Sequence, residues 1–298
     1  MPSDPGKTLA AMPRKRNRPN GHEIRPIDRH VGRSADTAPP GQAVLGPGGS
    51  IGTAGCLRCT AMSAVWAAEG LVAGVPAGAV LRSAVFRLSV PSDAPDRTSC
   101  PRCAAPVPRW LMIRCRYCGH HFGTLGALEL ATGLVLGLLF GRFGGQPDML
   151  AFCFLGALGV ALAAIDLSVQ RLPDRLVLPA YPVVIVLLTI AALTGHAEGS
   201  LVRALLGGLV LSGTYLALAL LRPGGIGGGD VKLAGLAGLA LGWLGWPTLL
   251  AGAALGFMLS GVVSMALVAA RRLTMQSMIS FGPFMLAGAL LATLAGAR

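Results

Sequence analysis

The sequence predicts an all-α protein: a polytopic bundle of membrane-spanning helices with one small cysteine-bearing loop outside the bilayer. Two observations carry this reading. Of the 298 residues, 53% are hydrophobic and only 13% charged, with a mean hydropathy of +0.64; a soluble domain carries roughly a quarter charged residues. The charges are also clustered, leaving 176–195, 204–221 and 273–297 with none. At about 1.5 Å of rise per residue, uncharged blocks of about 20 residues match a hydrocarbon core of about 30 Å. A soluble protein with buried core helices has no reason to repeat that length.

In chain order the apolar runs predict about eight spans, at 62–81, 124–141, 149–166, 177–195, 204–221, 231–245, 247–270 and 278–296. The first run stops at Arg82 and Arg87, and the third, "MLAFCFLGALGVALAAI", stops at Asp166. The fourth and fifth are two of the uncharged blocks, and the eighth lies in the third of them. The sixth and seventh must be divided. Residues 233–270 carry no charge, and as a single helix they would extend about 57 Å, far beyond a bilayer. "GWLGWP" (242–247) supplies the break, because tryptophan with glycine and proline suits an interfacial turn.

Charge sets the orientation. The loop 82–116 and the turns bearing Arg171, Arg175, Arg222, Lys232, Arg271 and Arg272 fall on one side; Arg142, Arg203 and Arg298 fall on the other. The positive-inside rule places the richer side in the cytoplasm, with the spans bathed in membrane lipid. The net charge of +12 then reflects topology, and no nucleic-acid partner is needed to explain it. Residues 1–60 break the pattern. "MPRKRNRPNGHEIRPIDRH" is basic, 39–55 is rich in Gly, Pro and Ala, and neither shows helical or strand periodicity, so the segment reads as a disordered tail without the apolar core of a signal peptide. Eight spans would put this tail outside, against the rule. Translation beginning near Met62 resolves the conflict and is the reading we favour; a cytoplasmic tail before an incompletely spanning first segment is the other. The expected organisation is therefore 1–60 tail, 61–123 first span with the cysteine loop, and 124–298 a membrane domain.

Two carboxylates stand out. Asp166 ends the third span in "AIDLSVQRLPDRLVLP", and Asp230 precedes the sixth in "PGGIGGGDVKLAG". Two full spans separate them, so both meet the bilayer at the same, cytoplasmic surface. Each alone would more simply be a helix-end charge; as a pair on one face beside a run of glycines they suggest chemistry. The glycine run is not a phosphate loop, since no Ser or Thr follows Lys232, and it is not a dinucleotide loop, since position 230 is Asp. It permits close backbone approach. Two carboxylates sharing a proton can activate water, one as base and the other as acid, which makes peptide hydrolysis at a membrane surface the natural reaction class.

"CPRC" (100–103) and "CRYC" (115–118) form a C-x2-C-x11-C-x2-C pattern in the basic loop. In reducing cytosol, Cys100, Cys103, Cys115 and Cys118 predict one tetrahedral structural zinc rather than disulfides, with His120 or His121 as alternative ligands. Cys56 and Cys59 fall in the tail and read as incidental; Cys153 lies in an apolar span and reads as packing.

The motifs "IDLSVQRLPDRLVLP" (165–179), "GIGGGDVKLAGLAG" (225–238) and "SFGPFMLAGA" (280–289) resemble the type IV prepilin leader peptidases, membrane aspartic proteases of the Gly-x-Gly-Asp type, over residues from about 78 to the C-terminus. The resemblance implies that Asp166 and Asp230 are the catalytic pair, and that Gly227, Gly229, Lys232 and Glu129 bind substrate or support the dyad. It implies prepilin or pseudopilin substrates carrying a basic leader, cut where the substrate's apolar helix enters the membrane. Bifunctional members also methylate the new N-terminus with S-adenosylmethionine. "GAVLRSAVFRL" (78–88) resembles that region with Arg82 where the family has Asn, and the spacer between the cysteine pairs is shorter than usual; both put methylation in doubt and leave peptidase activity untouched. A transporter with a Gly-broken helix is the alternative reading, but "GGGD" has no counterpart near Asp166. A zinc-stabilised scaffold would explain the cysteines and leave both aspartates idle.

Overall fold

A computed structural model of the chain describes residues 53–90, 95–107, 114–122, 126–194, 199–221, 227–271 and 280–296. The tail up to residue 52 lies outside the described residues. Within them are eight helices: α1 (Thr53–Leu88), α2 (Ala127–Phe143), α3 (Met149–Val169), α4 (Asp174–Leu193), α5 (Leu201–Leu221), α6 (Gly228–Leu244), α7 (Trp246–Ala269) and α8 (Gly282–Ala295). Each coincides with an expected span. Five are long and apolar enough to cross a membrane by themselves: Met62–Leu88 within α1, then α3, α4, α5 and α7. The protein is a multi-pass helical membrane protein.

The largest difference from expectation is α1. It takes in residues 53–60, read as tail, and continues through Arg82 to Leu88, past the expected loop start. The arginine does not end the helix because it finds an acid on the neighbouring one, as described below. The break at "GWLGWP" is real but tight: Gly245 adopts φ 149°, a conformation side chains resist, and Pro247 follows in the first turn of α7.

Glycine governs the packing. Gly70, Gly74 and Gly78 of α1 recur every four residues, as do Gly133, Gly137 and Gly141 of α2. A side chain at Gly70 would press to 2.6 Å of the Leu136 carbonyl, and one at Gly78 to 2.6 Å of the Glu129 Cα. Small residues at this spacing let two helix backbones touch, the usual route to helix association where lipid removes the hydrophobic drive. The α5–α6 pair uses Gly207, Gly208, Gly235, Gly238 and Gly242 in the same way. Helix α6 is buried continuously from Leu233 to Trp243 and forms the core, an all-round apolar helix enclosed by others. Large apolar side chains such as Leu209, Leu220, Leu250 and Met265 point outward from α5 and α7, as a lipid-facing surface requires.

The cysteine loop is two matching turns. Cys100 donates its N–H to Ala105 while its carbonyl accepts from Ala104; Cys115 repeats this with His120 and Gly119. Isolated bridges Ser99–Pro106 and Arg114–His121 close the turns. Phe122 packs under them against Phe86 of α1, ring centroids 4.5 Å apart. Asp96 pairs with Arg175 at the start of α4 at 2.5 Å, tying the loop to one end of the bundle.

Candidate active site

Asp166 lies in the last turn of α3 and is buried at 5% exposure. A carboxylate in that position needs donors, and the start of α8 supplies them. Ser280 donates its hydroxyl to Asp166 Oδ2, and the backbone N–H of Gly282 donates a second hydrogen bond. That N–H belongs to the first turn of α8 and has no partner within its own helix. Glycine is required there, because a Cβ on residue 282 would stand 2.5 Å from Asp166 Oδ2.

Asp230 occupies the third position of α6, and Gly227 precedes the helix in extended conformation. Its carboxyl folds back to accept from the Gly227 N–H, the reach an acid at this position makes in a capping box. The nearest of its oxygens stands 3.6 Å from where a Gly227 Cβ would be. Gly229 admits Leu172 of the α3–α4 turn, whose Cβ would meet a side chain at 2.9 Å. That contact seats the start of α6 against the end of α3 and brings Asp230 into the electrostatic field of Asp166. The two expected carboxylates thus lie within each other's electrostatic reach, Asp166 buried and Asp230 half-buried.

The other expected residues divide. Lys232 does not reach the pair; its Nζ donates to Asp174 Oδ1 at 2.7 Å, joining the start of α6 to the start of α4. Its carbonyl accepts from Tyr181 at 2.6 Å. Glu129, in the first turn of α2, forms a buried ion pair with Arg82 of α1; its partner is that arginine and no member of the dyad. Sequence alone assigns no role to Ser280, Gly282, Leu172 or Tyr181. "SFGPF" marked the first two as part of a motif, but their role depends on α8 meeting α3 across the bundle. Starting about one turn from Asp166, an apolar cleft of about 260 Å³ runs between α2, α3, α6 and α8, lined by Val135, Ala163, Leu233, Ala237, Pro283 and Leu286 among others and by neither aspartate.

The cysteine tetrad fits a metal. All four Sγ atoms lie within 4.8 Å of one another, with Cys100–Cys118 at 3.6 Å and Cys103–Cys115 at 3.5 Å. A tetrahedral zinc–thiolate site with bonds of about 2.3 Å separates its sulfurs by about 3.8 Å. Backbone N–H groups of Cys118 and Tyr117 draw the Cys115 thiol down to about 6. Against the Ala105 N–H, which lowers it, desolvation and the neighbouring thiols push Cys103 up to about 12. Four thiolates at this spacing need a cation among them, and the set as it stands could hold one. The tetrad closes without His120 or His121.

Fold and site together define a polytopic helical membrane protein with paired carboxylates at one end of its bundle. Comparison carries the assignment further. Residues 150–292 match the type IV leader peptidase family. The prepilin leader peptidase/N-methyltransferase of Burkholderia pseudomallei (strain 1026b) is 32% identical over 243 residues, 76% of this chain and 75% of that protein. The proteins of the same description from Aeromonas salmonicida (strain A449) and Bacillus subtilis (strain 168) are 32% and 29% identical, covering 67% of this chain and 70% and 82% of their own lengths. No solved structure matches the chain. The chain belongs to the type IV leader peptidase family and is a peptidase.

Proposed function

We propose that the protein is an aspartic endopeptidase that removes the basic leader from prepilin-like proteins at the cytoplasmic face of the inner membrane. The observation that supports this best is that Asp166 at the end of α3 and Asp230 at the start of α6 lie within each other's electrostatic reach. A water held between the carboxyls loses a proton to the ionised one as its oxygen attacks the scissile carbonyl. The protonated partner gives its proton to the carbonyl oxygen, and collapse of the tetrahedral adduct breaks the C–N bond as the amine nitrogen takes up a proton. The two groups share charge and titrate as a pair. The apolar cleft beside them suits a substrate whose cleavage site borders an apolar segment. Residues 124–298 make up the peptidase domain in this reading, 61–123 carry the cysteine loop as a structural zinc module, and 1–60 take no part.

The curated relatives are also described as N-methyltransferases. Arg82 and Glu129, on the stretches that resemble the methylating members, are closed on each other in a buried pair. Co-expression with a prepilin bearing a basic leader, followed by mass spectrometry of its N-terminus, tests the reading. The expected spectrum has the leader removed after a glycine, and an intact leader with abundant enzyme would oppose it. The same spectrum reports any added methyl group.

A further inference from the structure

Helices α5 and α6 run antiparallel with glycine against glycine. A side chain at Gly207 would meet the Gly238 carbonyl at 2.7 Å, and one at Gly208 the Gly235 carbonyl at 3.1 Å. Arg203, a turn earlier, reaches the carbonyls of Gly242 and Trp243. Followed two turns past Gly208, this register sets Tyr215 level with the first turn of α6, where Asp230 sits. The phenol is 0% exposed, yet its hydroxyl has no hydrogen-bond partner among the described residues. Its ring is clamped by Phe257, stacked at 5.5 Å, and by Phe281 at 5.8 Å. Phe281 lies between Ser280 and Gly282, the two residues that hold Asp166. The hydroxyl stands in the field of Asp230.

A phenylalanine would keep this stack without burying an unpaired hydroxyl, which is a cost to stability. The dyad is also unequally supported. Asp166 accepts from Ser280 and Gly282, whereas Asp230, which is only half-buried, accepts from the Gly227 backbone. We propose that Tyr215 is a positioning residue of the peptidase site, its hydroxyl donating to the Asp230 carboxyl once water and peptide occupy the dyad. The unpaired group of the resting protein is then the donor that completes the site at the moment of reaction. This rests on the dyad reading above.

The test is Tyr215→Phe in the full-length membrane protein, assayed on a prepilin peptide beside Asp230→Asn. One charge-assisted hydrogen bond corresponds to about a tenfold to hundredfold fall in kcat. KM should hold near wild type, and the thermal midpoint should stay the same or rise, because an unpaired hydroxyl has been removed. A purely structural role would instead lower the midpoint. Wild-type kcat, a lowered midpoint, or failure of the variant to accumulate would each overturn the proposal. An active Asp230→Asn would overturn the dyad itself, whereas an inactive Asp230→Asn beside a fully active Tyr215→Phe would overturn only the role of Tyr215. Phe257→Leu, which loosens the stack and keeps the hydroxyl, should lower the midpoint more than kcat.

Discussion

The two ends of the bundle use their polar residues in opposite ways. At the end away from the dyad, side chains close helix termini. Arg203 donates to the carbonyls of Gly242 at 2.8 Å and Trp243 at 2.6 Å, the last turn of α6. Arg142 donates to the Gly296 carbonyl beyond α8 at 2.5 Å, and Asp148 accepts from the Trp243 indole at 3.1 Å. The three carbonyls are orphan groups that a helix leaves at its C-terminal end, satisfied in place, and the indole–carboxylate bond ties α6 to the start of α3. At the dyad end, the same kind of group is aimed across the bundle. The first N–H of α8 is given to Asp166, and Asp230 curls onto the start of its own helix while still facing its partner. Polar residues at one end finish the fold; at the other they bring two carboxyls within each other's electrostatic reach.

Crowding the dyad end should cost activity most. Gly282→Val would drive a branched side chain into the Asp166 carboxyl. A displacement of about 1 Å at a reacting group costs about 100-fold in rate, so cleavage of a prepilin peptide should fall by about that factor at equal membrane abundance. Near wild-type turnover would show that Asp166 need not sit where it does. A smaller effect is expected from the cysteine loop. Purified protein should contain about one zinc per chain, and Cys100→Ser with Cys103→Ser should lose it, as read by elemental analysis. Because the loop rests on α1 through Phe122 and Phe86 and touches the aspartate-bearing part of the bundle through the partly exposed Asp96–Arg175 pair, worth about 1 kcal/mol or less, cleavage should fall by less than about tenfold. Metal-free wild-type protein would contradict the zinc assignment. The smallest effect on catalysis should come from the opposite end. Arg203→Met strips two carbonyls of a charged donor and should cost about 2 kcal/mol of stability, seen as a lower thermal midpoint, with kcat of the folded protein unchanged. A fall in kcat without loss of stability would erase the contrast between the ends.

Much of this was legible in the sequence. Helix positions followed from uncharged run lengths, because the bilayer fixes a length scale that a soluble core does not impose. Asp166 and Asp230 could be placed on one face by counting spans, and the cysteine tetrad by its spacing alone. What escaped was set by helix–helix contact. Arg82 looked like the end of a span, and only the approach of α1 to α2 reveals Glu129 as its partner. Lys232 sits beside Asp230 in the motif, yet helix geometry turns it toward Asp174. Ser280 lies far along the chain from the Asp166 carboxyl it bonds, and no local pattern marks a hydroxyl that reaches across a bundle.

The central claim is that Asp166 and Asp230 act as one unit, and the direct measurement is cleavage of a cognate prepilin by Asp166→Asn, Asp230→Asn and the double variant. Mass spectrometry of the product should be calibrated against membrane abundance and zinc content. Each single variant should abolish cleavage while inserting normally and keeping its metal, and the double variant should be no worse than either, since residues that act together lose their function once. Processing at near wild-type rate by either single variant would contradict the account.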